Sequence, residues 1–103
     1  MGVTFGSALR GDVHLQTVFL VERYLPGLTE DAVTALTTRL VTATRELRGS
    51  GAPASWLGTT VLLPEETTFC VFSAPSEDAV RALNALASAP YERVVEALIV
   101  KPR

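Results

Sequence analysis

Residues 29–36, Thr-Glu-Asp-Ala-Val-Thr-Ala-Leu, return at 76–83 as Ser-Glu-Asp-Ala-Val-Arg-Ala-Leu, with six of the eight positions identical. A seventh exchanges one helix-capping hydroxyl for another. Each copy follows an apolar run of strand character, Phe19-Leu20-Val21 and Phe69-Cys70-Val71. A chain of 103 residues that uses one strand-to-helix device twice is built from two related halves. That constrains architecture strongly and supplies no chemistry.

The punctuation around the repeats completes the elements. A first strand is expected from about Leu15 to Tyr24, where Val18 to Val21 suit burial on both faces, and Leu25-Pro26-Gly27 breaks it. Thr29 caps the first helix, Glu30 and Asp31 complement its dipole, and Val33, Leu36, Leu40, Ala43 and Leu47 draw one apolar stripe. Gly49 supplies a left-handed stop. Ser55 to about Leu63 and Thr67 to Ala74 read as a hairpin around Pro64-Glu65-Glu66. Ser76 caps a second helix with Val80, Leu83, Leu86 and Ala87 inward, and Arg93 to Val100 is the last strand. Residues 1–14, with Gly2, Gly6 and Gly11 and no sustained period, are expected to form a flexible arm, and 15–103 the domain.

The order strand-helix-strand, strand-helix-strand is α+β and ferredoxin-like (βαββαβ). Right-handed crossovers place both helices on one face of a four-stranded antiparallel sheet. Superposing the strand repeats puts Phe19 and Val21 with Phe69 and Val71 on one face. Val18, Leu20, Cys70 and Phe72 then fall on the other. Both faces are apolar and the helices cover only one, so a second copy of the chain is the expected cover, giving a homodimeric α/β barrel with a cavity between sheets.

Totals narrow the partners. A net charge of −2 and a single lysine, Lys101, argue against nucleic acid. No apolar run is long enough to span a membrane, and Met1 to His14 lacks the pattern of a secretory signal. The lone Cys70 forms no internal disulfide, so the cytoplasm is the expected compartment. Of the individual residues, Glu22 is a carboxylate on an apolar strand, which is either paired or faces a wet cavity as an acid or base. Cys70 reads as a core hydrophobe or a soft ligand, Trp56 and Phe72 as packing or cavity lining, and Tyr24 as a rim residue. No phosphate-binding glycine loop, hydrolase elbow or Ser-His-Asp set is present.

Three stretches carry a resemblance: Phe19-Leu20-Val21-Glu22-Arg23-Tyr24-Leu25-Pro26-Gly27, Trp56-Leu57, and Thr68 to Val80 with its Phe-Cys-Val-Phe-Ser-Ala-Pro core. Together they resemble a small family of ferredoxin-like proteins, many of unknown function, that includes a nickel-binding protein. The resemblance implies a ferredoxin-like dimer and, in some members, a bound transition metal. The positions that carry metal chemistry depart here. Gly58, Thr59 and Thr60 stand where members commonly show a His-Ser-Tyr-like run, Ser73 where a glutamate is frequent, and Leu83 near a helix histidine. The sole histidine, His14, matches no family position. Glu22 and Cys70 alone are too few ligands for nickel, copper or zinc from one chain.

The expected function is therefore binding of a small apolar organic molecule between the sheets of a homodimer, with no metal or cofactor. Whether a reaction follows, cyclase- or monooxygenase-like, with Glu22 as its acid or base, stays open. The alternatives are a transition-metal binder with a degraded site, and a purely structural or regulatory dimerisation module.

Overall fold

A computed structural model describes residues 8–51 and 53–103. The elements are β1 (Ala8–Arg10), β2 (Val13–Tyr24), α1 (Glu30–Leu47), β3 (Ser55–Leu62), β4 (Thr67–Ser73), α2 (Glu77–Leu86) and β5 (Arg93–Pro102). Residues 1–7 of the expected arm lie outside the described residues. The remainder of that segment forms a hairpin, with Ala8–Arg10 pairing antiparallel to Val13–Leu15 around Gly11, whose φ is +58°.

Both caps form as the hydroxyls require. Thr29 Oγ1 accepts from the Ala32 amide at 3.1 Å and Ser76 Oγ from the Ala79 amide at 3.2 Å, each satisfying an otherwise unpaired donor of the first turn. Gly49 takes a φ of +86° just past α1. Along α1, Thr37, Thr38 and Thr44 return their hydroxyls to carbonyls one turn back, at 2.9–3.0 Å.

All strand pairings are antiparallel. β5 lies along one edge of β2, and β4 then β3 along the other, which is the ferredoxin-like order. β2 is longer than its neighbours, and its second edge carries β1 near Val13–Leu15 and β4 from Phe19 onward. Both helices pack on one face, where Phe19, Val21, Cys70 and Phe72 meet Leu36, Leu40, Ala43, Val80 and Leu83 in a single core.

That register corrects the sequence reading of the faces. Phe19 pairs with Phe72 and Val21 with Cys70, and directly opposed residues share a face. Cys70 and Phe72 therefore point under the helices, while Phe69 and Val71 join Leu20 and Glu22 on the helix-free side. Val18 and Leu20 keep the side expected of them. The reason is the pairing register. Partner numbers on β2 and β4 sum to 91, so an odd position on β2 lies opposite an even one on β4, and the even 50-residue offset from Phe19 to Phe69 puts those two on opposite faces.

A second correction falls in α2. Leu86 is exposed, and Asn84 is fully buried in its stead. The buried stripe of α2 is rotated toward Asn84, whose Oδ1 accepts from Arg23 across the core.

Candidate functional site

The helix-covered face contains a polar network that begins with Arg23. Its odd-numbered place on β2, two residues beyond Val21, sends the side chain inward, where it is only 2% exposed. Nε donates to Pro90 O at 3.1 Å and Nη1 to Cys70 Sγ at 3.2 Å. Nη2 donates to Asn84 Oδ1 and, at 3.5 Å, to Ala89 O. Asn84 is oriented in turn by its Nδ2–H, which donates to Val80 O at 2.8 Å. Burial pushes the Arg23 guanidinium below its ordinary pKa, an effect opposed by the neighbouring Cys70 sulfur. No carboxylate forms an ion pair with it among the described residues.

The network continues past the sulfur. Thr59 Oγ1 donates to Cys70 Sγ at 3.2 Å and accepts from Trp56 Nε1 at 2.9 Å. In a regular strand, residues three apart face opposite sides. Here the register slips between Trp56 and Gly58, so Trp56 lies opposite Phe72 and Thr59 opposite Cys70, both on the core side. The bulge thus makes the Trp56–Thr59 bond geometrically possible. Beside this chain Thr68, paired with Arg23 across the strands, is fully buried, and its hydroxyl has no partner among the described residues.

The helix-free face is the other candidate. Leu20, Phe69, Val71, Val95, Ala97 and Ile99 lie on it by register, partly exposed in the single chain. A shallow hollow of about 470 Å³ opens there between Gln16, Leu57, Thr60, Val71, Ile99 and Lys101. Glu22 belongs to this face but not to the hollow. Its Oε1 accepts from Arg93 Nε at 2.6 Å, and the pair is partly open to solvent.

The residues singled out from sequence are thus divided. Cys70 and Phe72 are buried beneath the helices, Trp56 packs against that core, and Tyr24 is exposed at the end of β2. Glu22 stands across the sheet from all but the last. Among the described residues, no three His, Cys, Asp or Glu side chains group closely enough to hold a metal ion. The residues missed by sequence reasoning are Arg23, Asn84 and Thr59. Correct parity on β2 and β4 identifies Arg23, because an arginine in line with Phe19 and Val21 must be buried and must find acceptors.

Fold and site define a ferredoxin-like α+β protein with two helices on one face of the sheet and, among the described residues, an apolar face without helices opposite. The chain belongs to the SCO4226-like family of nickel-responsive proteins, whose family model matches residues 19–97. The crystal structure of SCO4226 from Streptomyces coelicolor A3(2) superposes with a TM-score of 0.66 at 15% identity, over 78% of this chain and 94% of that one. At that identity the likeness is one of fold. Among curated proteins, none matches the chain significantly.

Proposed function

We propose that this family member acts as a homodimer that encloses a small organic molecule between the helix-free faces of its two sheets. The observation that carries the reading is the hollow among Leu57, Val71, Ile99, Gln16, Thr60 and Lys101. It sets the apolar Leu57, Val71 and Ile99 beside the polar Gln16, Thr60 and Lys101, so a small organic molecule there has surface to pack on and groups to orient it. Apolar sheet surface left facing water is unfavourable by roughly 25 cal/mol per Å², so a twofold partner presenting the same surface is its natural cover. Trp56, Cys70 and Phe72 support this face from beneath the sheet, and Tyr24 stands at its far edge, at the end of β2. Glu22, held by Arg93, offers the face its carboxylate acid or base if the bound molecule is transformed.

Light scattering coupled to size exclusion tests the assembly. A dimer of wild-type chain that becomes a folded monomer in Val71→Glu is the expected result, and a wild-type monomer at high micromolar concentration overturns the reading.

The family description favours a second reading, in which the chain binds nickel on the helix-free face through Glu22 and groups of a partner subunit, Cys70 lying buried on the other side of the sheet. Metal analysis of purified protein distinguishes the two. Stoichiometric nickel that is lost in Glu22→Gln establishes the second reading over the first.

A further inference from the structure

A separate depression of about 360 Å³ lies on the helix side, between α1, the end of β2 and the loop from α2 to β5. We propose that it binds a small monocarboxylate with an apolar body, using Arg39 and Arg23 as the cationic end. This site is on the opposite side of the sheet from the hollow, and the inference does not depend on the dimer.

The lining has two chemical parts. Leu25, Ala32, Ala35, Leu36 and Pro90 form apolar walls, the two alanines leaving room along α1, and Tyr24 and Tyr91 add aromatic surface. The charged lining consists of Arg23, Arg39 and Glu92, an excess of one positive charge. Glu92 is engaged, since its Oε2 accepts from the Tyr24 amide at 2.8 Å. Arg39 uses only Nε, which donates to Ala87 O at 3.1 Å. Its terminal N–H groups have no acceptor among the described residues, and it forms no ion pair among them.

Arg23 donates four hydrogen bonds out of five N–H groups, all to neutral acceptors or to the Cys70 sulfur. It is a cation in the core that forms no ion pair among the described residues, its nearest acidic influence being Glu92, and it also borders the pocket. A buried charge is held at a cost unless opposite charge approaches it. A carboxylate matches the planar donor forks of arginine and brings the single negative charge that the lining lacks. A phosphate ester is the poorer fit, because its second charge faces Glu92 and its hydration competes with the apolar walls.

The test is a titration of the isotopically labelled full chain with phenylacetate, followed by two-dimensional NMR, against phenylacetamide and 2-phenylethylamine as neutral and cationic controls. Saturable shifts are expected at the amides of Tyr24, Leu25, Ala35, Leu36 and Tyr91. Losing one charge-assisted hydrogen bond weakens binding about tenfold, which is the expected difference for the amide against wild type and for phenylacetate against Arg39→Gln. Arg39 is exposed, so that variant keeps its fold, confirmed by an unchanged melting temperature. Equal affinity for acid and amide, wild-type affinity in Arg39→Gln, shifts confined to Val71 and Ile99, or no saturable binding at millimolar acid each overturn the proposal.

Discussion

Arg23 is the residue on which most of the interior polar chemistry converges, joining β2 to Cys70 of β4, to Asn84 of α2 and to the loop at Ala89 and Pro90. Arg23→Ala leaves a cavity together with orphaned acceptors on Asn84 and Pro90, and urea unfolding should show a loss of about 3 kcal/mol or more. Asn84→Leu removes the partner instead. The double variant should cost less than the two singles combined, by about 1–3 kcal/mol, as expected for groups sharing one network. Thr68 makes the opposite prediction. Its hydroxyl is buried without a partner among the described residues, so Thr68→Val should leave stability unchanged or raise it by about 1 kcal/mol. None of this network was legible from residue types alone. An arginine beside Glu22 and Tyr24 reads as a surface residue until the pairing register of the strand is known, and Cys70 reads as a plain core thiol until Arg23 and Thr59 are brought to it.

The elements were the more readable scale, because local physics decides them. Both N-caps stand where their hydroxyls fall in sequence, and the first turns carry Glu30, Asp31, Glu77 and Asp78. Thr29→Ala and Ser76→Ala should each lower stability by about 1 kcal/mol with no change in the slope of the denaturation curve. What local patterning does not carry is how one strand lines up with the next. The Phe-x-Val runs look equivalent, yet the pairing of Phe19 with Phe72 makes them belong to opposite faces. The register slip near Gly58 is of the same kind, since it depends on β4 and not on the sequence of β3 by itself. In α2, the apolar pattern places Leu86 inward and gives Asn84 no inward role. The reverse holds because Asn84 is drawn to a guanidinium that comes from elsewhere in the chain.

For the whole molecule, the two faces of the sheet divide the labour. One is closed by helices over a core with a polar centre, and the other meets the surroundings through Leu20, Val71, Val95 and Ile99. A charge placed at Val71 should therefore act on assembly and leave the unfolding midpoint of the single chain nearly unchanged, measurable by scattering and urea titration on one sample. The ferredoxin-like order was legible because six elements in that sequence admit few arrangements. The occupant of the open face was not, since the pattern there specifies hydrophobicity and little else. One detail of that face gives it an unusual chemical handle. Lys101 is the chain's single lysine, and it borders the hollow and is exposed in the lone subunit. Apart from the terminal amine, every acylation by a mild amine-directed ester must fall at this one position. Mass spectrometry of the adduct then reads directly whether the face is open or shut, with slow labelling at high protein concentration and fast labelling after dilution expected for sheets that close on one another.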